Sequence, residues 1–311
     1  MSTATADTPP SGEKLTRKVL TGDHPTWCPG CGDFAVLAAF YRFLEQEQIP
    51  HEKIVTLAGI GCSSRFPYFV NTHGGHYIHG RSLPFAVGVS LSRDDLHVFV
   101  FGGDGDGFSI GGNHLDHTAR KNVNLTYVIM DNFVYGLTKK QTSPTSPIGF
   151  KSKTDPTGAI DQPINPMKKL LASGATFVAR SHAAQVKHMV EMYRRAYHHK
   201  GFSVVEILSE CVEFYPGAFD AAVPRKQGQF IEIEEKKHDG TPEDEKRHDP
   251  SDEEAAFRLA HLEWPGVFGV FYETQRLTKN ELEAQLNQRA RERVKGKSDL
   301  EILRDTFAKM R

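Results

Sequence analysis

With 311 residues, of which 39% are hydrophobic and 25% charged, the chain has the makeup of an ordinary water-soluble globular protein. A formal net charge of −1 leaves no basic field, which disfavours nucleic-acid binding as a general role. No apolar run approaches a membrane span, and the start MSTATADTPPSGEK lacks the apolar core of a signal peptide, so a cytoplasmic location is expected.

Residues 1 to about 15 are polar, carry Pro9-Pro10, and read as a loose arm ending near residue 20. A compact turn comes next, Asp23-His-Pro-Thr-Trp-Cys28-Pro-Gly-Cys31. The spacing of Phe34, Leu37, Ala38, Tyr41 and Leu44 predicts a helix from Phe34 to Gln46. Ile54 to Ile60 reads as a strand, with Gly61-Cys62-Ser63-Ser64 just past its end. A loop punctuated by Gly74-Gly75 leads to His79-Gly80-Arg81 and to a helix from Leu83 to Leu91.

The centre of the chain runs from His97 to Asn132. Val98 to Phe101 and Leu125 to Met130 are continuous apolar runs joined by a helical pattern, a parallel βαβ unit. The first run ends in Gly102-Gly-Asp104-Gly-Asp106-Gly107 and the second in Asp131-Asn132. A polar loop then extends to about Pro166, a length that usually signals function. Ala175 to Ala179, Ala183 to His199 and Phe202 to Leu208 read as strand, helix and strand, and Cys211 lies three residues beyond the last. These readings give an α/β fold, a mainly parallel sheet with helices on both faces, spanning residues 21–223.

The character changes at Pro224. The span from Glu232 to Glu254 is almost wholly polar and reads as solvated, in a charged extension covering 224–311. Thr278-x-x-Glu281 and Ser298-x-x-Glu301 are capping boxes that open two terminal helices. In the second, Leu300, Leu303, Phe307 and Met310 form a stripe expected to pack on the chain's own domain, with docking on a partner subunit as the alternative.

Cys62, Asp104, Asn132 and Cys211 each come after a predicted parallel strand, so they converge on one sheet edge, where ligands of such folds gather. Asp104 offers a carboxylate among glycines, and Asn132 a neutral oxygen. A hard divalent cation that keeps phosphate oxygens in its shell needs about that donor set. No Lys-Ser or Lys-Thr completes a P-loop, and Phe108 stands where a dinucleotide fingerprint requires glycine. For the cysteines three chemistries are open. A thioredoxin-like pair lacks its preceding strand; zinc and an iron–sulfur cluster remain even on the residues alone. The histidines at 73, 76 and 79 lie in a glycine-containing loop without a carboxylate, which disfavours a metal role for them.

Gly103-Asp104-Gly105 with Asn132 resembles the diphosphate-binding motif of thiamine-diphosphate enzymes. The continuation Asp131-Asn-Phe-Val-Tyr-Gly-Leu-Thr-Lys-Lys-Gln-Thr-Ser-Pro-Thr145 is similar to the β subunit of 2-oxoacid:ferredoxin oxidoreductases. Gly59-Ile-Gly-Cys-Ser-Ser-Arg-Phe-Pro67 and His79-Gly80-Arg81 resemble the 2-oxoglutarate enzymes most. The resemblance spans about residues 20 to 220. It implies the thiamine-diphosphate-binding fold and Mg²⁺ on Asp104, Asn132 and the backbone oxygen of Val134. It further implies cofactor contacts from Ile60, Gly61, Cys62, Ser63, His79, Gly80, Arg81, Gly105, Asp106, Tyr135, Gly136 and Leu137. It also implies one [4Fe–4S] cluster on Cys28, Cys31, Cys62 and Cys211.

The implied activity is coenzyme A-dependent oxidative decarboxylation of 2-oxoglutarate, reversible, with electrons passing to ferredoxin. An α subunit would supply the activating glutamate in a heterotetramer, and His79 would join Arg65 and Lys139 as a catalytic group. Arg65 would meet the distal carboxylate, where a guanidinium forms two parallel hydrogen bonds, and Lys139 matches a position associated with coenzyme A. The alternatives are a pyruvate or aryl-pyruvate enzyme of the same family, or a non-catalytic iron–sulfur electron-transfer subunit.

Overall fold

The computed structural model describes residues 14–310; most of the arm expected to be loose, residues 1 to 13, lies outside them. Seven strands form one sheet: β1 (Ile54–Ala58), β2 (His73–His76), β3 (His97–Gly103), β4 (Leu125–Asp131), β5 (Phe177–His182), β6 (Phe202–Leu208) and β7 (Gly269–Glu273). Their spatial order is β2-β1-β3-β4-β6-β5-β7. Every pairing is parallel except β7 on β5, which is antiparallel.

The inner strands β1, β3, β4 and β6 are largely apolar because both their faces are covered. Alternate side chains serve opposite layers, as the two-residue period of a strand requires. Phe99, Phe101, Val128 and Met130 pack under the helices Asp33–Glu47 and Val186–His198. Val98, Val100, Tyr127 and Ile129 pack under Ser82–Ser92, Gly112–Lys121, Pro166–Ala172 and Glu253–Ala260. Phe40 centres the first layer, with edge-on contacts to the Phe66, Phe99, Phe101 and Tyr193 rings. Among the described residues no helix is long and apolar enough to cross a membrane.

Four elements differ from the sequence reading. His73–His76 is a strand although His-Gly-Gly-His has no apolar residue. It holds its place at the exposed edge by backbone pairing to β1, and a Cβ on Gly75 would stand 2.9 Å from Leu57 Cδ2. The turn after β3 is a six-residue π-helical segment, Gly105–Ile110, running into Gly112–Lys121. Such segments are rare and cluster at functional sites. Gly111 permits the wide turn, since a Cβ there would lie 2.2 Å from the carbonyl oxygen of Asp106.

The third difference corrects the boundary at 224. Glu253–Ala260 covers the sheet and β7 extends it, so the fold runs on through the charged region, tied by bridges Glu232 to Phe268 and Glu235 to His248. Last, the stripe on the terminal helix Asp299–Lys309 does not pack: Leu300, Leu303, Phe307 and Met310 are all exposed.

Candidate functional site

The neighbouring strands β1, β3, β4 and β6 end at one edge in register, with Ala58 beside Phe101, Gly103 beside Met130, and Asp131 beside Leu208. The loops after them carry Cys62, Asp104, Asn132 and Cys211 to that edge, as the sequence predicts.

Asp104 sits at the floor of a cavity of about 410 Å³, bordered also by Ile60, Gly61, Ser63, His79, Gly105, Asn132, Val134 and Tyr135. It is buried, and its Oδ2 accepts a hydrogen bond from the Thr145 hydroxyl at 2.9 Å. The same hydroxyl lies 2.8 Å from Asp131 Oδ1. One hydroxyl hydrogen cannot serve both carboxylates, so two acids crowd a single donor. Burial pushes both carboxyl groups up. Asp131 goes up further through the charges of Asp104 and Glu206, while bonds from Ser143 and Thr145 pull Asp104 back. A cation against Asp104 would relieve this crowding, and that is the donor chemistry a divalent metal site requires. Asn132 Oδ1 accepts the Val134 amide at 3.1 Å, which ties these two candidate ligands into one turn.

Asp106 also borders this cavity and fastens the segments around it. Its Oδ1 accepts the amides of Ile60 at 3.0 Å and Gly80 at 2.8 Å, and His79 Nδ1 lies 3.2 Å away. His79 Nδ1 also reaches the Ile60 carbonyl at 2.9 Å, and the neighbouring carboxylate raises the imidazole above its ordinary value. Asp106 therefore clamps the β1 loop and the His-Gly-Arg turn onto the segment after β3. Its Oδ2 is buried with no partner among the described residues. Gly80 is held by that clamp, and Arg81 turns to His114; neither borders the cavity.

The clamp makes Gly59 indispensable, since a Cβ there would stand 2.1 Å from Asp106 Oδ1. Gly59→Ala is expected to destabilise the fold by about 1–3 kcal/mol and to loosen ligand binding in the cavity. Thermal denaturation checks this, and an unchanged midpoint would mean Asp106 is not clamped.

A second cavity, about 290 Å³, is bordered by all four cysteines together with Arg65, Asn132, Gly136, Leu137 and Lys139. Three local ties assemble it. The Cys31 amide donates to the Cys28 carbonyl at 3.0 Å, around Gly30 at φ +86°. Trp27 Nε1 donates to the Cys62 carbonyl at 2.7 Å. The Gly32 amide donates to the Glu210 carbonyl at 3.2 Å, which brings Cys31 alongside Cys211.

Space for a bound group is built in at Gly136. A Cβ there would project between two sulfurs, 3.5 Å from Cys62 Sγ and 3.6 Å from Cys211 Sγ. Burial and the Asp33 carboxylate push the thiols of Cys31 and Cys62 up, Cys62 to about 12. Without a compensating cation these sulfurs hold their protons at neutral pH; iron would displace those protons. Among the described residues no three His, Cys, Asp or Glu side chains close on a single ion, and the thiols stand around a volume instead. Burial raises Cys211 too, but the amides of Phe214, Glu213 and Tyr215 point at its sulfur and pull it back, as the Asp33 amide does at Cys31.

Cys62, Asn132, Gly136 and Leu137 border both cavities, so the two share a wall one residue thick. Arg65 stands on the thiol side and also borders a third space of about 430 Å³ with His24, Tyr68 and His76, opening beside Ile60, Gly61 and Leu137. The sequence reading missed Thr145, Asp131, His24 and His76 as site residues. Thr145 lay within a quoted motif, but its bond to Asp104 is a contact across 41 residues that no local pattern reveals. Asp131 opened the same motif and His76 stood in the histidine series, but neither pattern showed what its side chain faces, and His24 carried no local signal.

Comparison with known proteins agrees with this geometry. Residues 59–207 match the family described as thiamine pyrophosphate enzyme, C-terminal TPP binding domain. The chain is 45% identical over 227 residues to 2-oxoglutarate oxidoreductase subunit KorB of Mycobacterium tuberculosis (73% of this chain, 60% of the relative). It is 39% identical to the 2-oxoglutarate synthase subunit KorB of Methanocaldococcus jannaschii (67% of this chain, 76% of the relative). Its fold superposes with TM-score 0.82 and 39% identity on 2-oxoglutarate:ferredoxin oxidoreductase from Magnetococcus marinus, solved with 2-oxoglutarate, coenzyme A and succinyl-CoA bound (94% of this chain, 96% of that one). The match spans about 60% of the length of the M. tuberculosis relative and 61% of that of Saccharolobus solfataricus. With relatives this similar and a fold shared almost end to end, the chain belongs to the β-subunit family of the 2-oxoacid:ferredoxin oxidoreductases.

Proposed function

We propose that this chain is the β subunit of a cytoplasmic 2-oxoglutarate:ferredoxin oxidoreductase, which converts 2-oxoglutarate and coenzyme A reversibly to succinyl-CoA and carbon dioxide. The observation that carries the reading is the shared wall. A cavity floored by a carboxylate for Mg²⁺ and diphosphate touches a cavity ringed by four thiols, through Cys62 and Gly136. Electrons released in the first space need cross only that wall to reach the second.

Thiamine diphosphate, when bound, supplies the electron sink for breaking the bond to the carboxyl carbon. The chain's own residues do the positioning. Asp104, Asn132 and the backbone oxygen of Val134 would hold Mg²⁺ on the diphosphate, with Gly105 lying close under the Tyr135 ring. Cys28, Cys31, Cys62 and Cys211 would hold the [4Fe–4S] cluster that hands electrons to ferredoxin. His79, held by Ile60 and Asp106, borders the cavity. Lys139 sits at the rim of the thiol cavity, suitably placed for coenzyme A. The α subunit would complete the site with the activating glutamate, in an α2β2 assembly.

The test is an anaerobic co-purification with the partner subunit, followed by a panel of 2-oxoacids with coenzyme A and ferredoxin. The reading expects 2-oxoglutarate to lead. A preference for pyruvate or aryl-pyruvates, or no thiamine diphosphate binding, would reject it. Arg65→Met should lower kcat/KM for 2-oxoglutarate by about 10- to 100-fold, the usual worth of a charge-assisted pair, and leave pyruvate nearly unchanged. Equal losses on both substrates would remove the assigned role.

A further inference from the structure

Resting on that reading, we propose that Lys140, Lys151 and Lys153 form the surface on which the acidic electron-carrier protein docks. The stretch from Gly136 to Ile160 holds four lysines and a single carboxylate, Asp155, in a chain whose formal net charge is −1. Two separate segments of this stretch are drawn together: the Lys153 amide donates to the Lys140 carbonyl at 2.9 Å, and Thr142 Oγ1 meets Ser152 Oγ at 2.7 Å. Lys151 and Lys153 are exposed. Among the described residues none of Lys139, Lys140, Lys151 and Lys153 makes a salt bridge, although twenty others do form.

The patch is anchored to the thiol cavity. Lys140 Nζ lies 5.5 Å over the Phe150 ring, and Phe150 packs on Tyr215 with centroids 4.6 Å apart. Phe150, Tyr215, Phe214 and Cys211 belong to one small apolar cluster, so the lysines rest on the segment that carries the cavity's fourth thiol. Lys139 continues the positive charge to the cavity rim, beside Glu213. An unpaired set of cations next to an electron exit suits a partner of opposite charge, because complementary fields steer encounter and raise its rate at low salt. A small iron–sulfur protein with an acidic face is such a partner.

The experiment uses the assembled holoenzyme carrying K151E/K153E, both at exposed positions outside the reaction site. Its acceptors are an acidic ferredoxin across a range of salt concentrations and methyl viologen, a small cation. The KM for ferredoxin is expected to rise about 10-fold at low salt and to lose most of its salt dependence, with viologen reduction unchanged. An unchanged KM and salt slope would overturn the docking surface. So would a raised KM for coenzyme A with viologen as acceptor, which would assign the lysines to its phosphates instead. If the wild-type holoenzyme reduced viologen but no ferredoxin, the parent reading of the acceptor would fail, and the surface with it.

Discussion

Asp104→Asn in the assembled enzyme is expected to weaken magnesium-dependent binding of thiamine diphosphate by about 100-fold or more, with iron content unchanged. Loss of a group that merely supports a metal ligand costs about 10–100-fold in affinity, and the formal charge at the ligand itself is worth at least the upper end. Calorimetric titration of the cofactor with magnesium measures it, and wild-type affinity in the variant would remove Asp104 from the metal site. A stability measurement guards against misfolding. Asp104 is buried, raised above its ordinary value, and crowded against Asp131 at the Thr145 hydroxyl. A carboxyl raised on folding holds its proton better in the folded state. Its contribution is therefore full below its unfolded value, about 4, and is lost as pH rises through the folded one. The variant has no such group to ionise. Without cofactor it should melt no lower than wild type at neutral pH, so weak binding and sound folding would be seen together.

The same residues show what a sequence discloses and what it withholds. Cys62, Asp104, Asn132 and Cys211 were legible because β1, β3, β4 and β6 are buried apolar runs, and parallel strands deliver the loops after them to one edge. Asp106 was legible as a neighbour of the motif but not as a clamp, because its partners Ile60 and Gly80 are 46 and 26 residues away. Thr145 was hidden for the same reason. The edge strands failed in opposite ways. His73–His76 has no side-chain signal and exists through backbone pairing, whereas Gly269–Glu273 lies in an apolar run, Val267 to Tyr272, set within a region whose overall composition is charged. The exposed face of Asp299–Lys309 carries an apolar stripe of the kind that usually packs inward, and only the folded chain shows that it does not.

Cys211→Ala is expected to have the opposite signature from Asp104→Asn: iron and acid-labile sulfide fall sharply, ferredoxin and viologen reduction drop to background, and thiamine diphosphate still binds. Cys211 lies after β6, outside the turn after β4 that carries Asn132 and Val134, and it borders the thiol cavity but not the carboxylate cavity. Its removal leaves Asp104, Thr145 and the Asp106 clamp in place. It does take away a thiol whose proton is eased off by three backbone amides, those of Phe214, Glu213 and Tyr215. Thiolates are what bind iron, and hydrogen bonds to sulfur help set a cluster's potential. Gly136→Ala probes the space between the sulfurs instead, since its Cβ would stand 3.5 Å from Cys62 Sγ and 3.6 Å from Cys211 Sγ. Iron and sulfide assays with a cofactor titration on the same sample decide the matter. If Cys211→Ala kept its full iron, the thiol cavity would not be the cluster site. If it lost thiamine diphosphate as well, the wall between the cavities would be a single cooperative unit, and the division of labour argued from Cys62 and Gly136 would not stand.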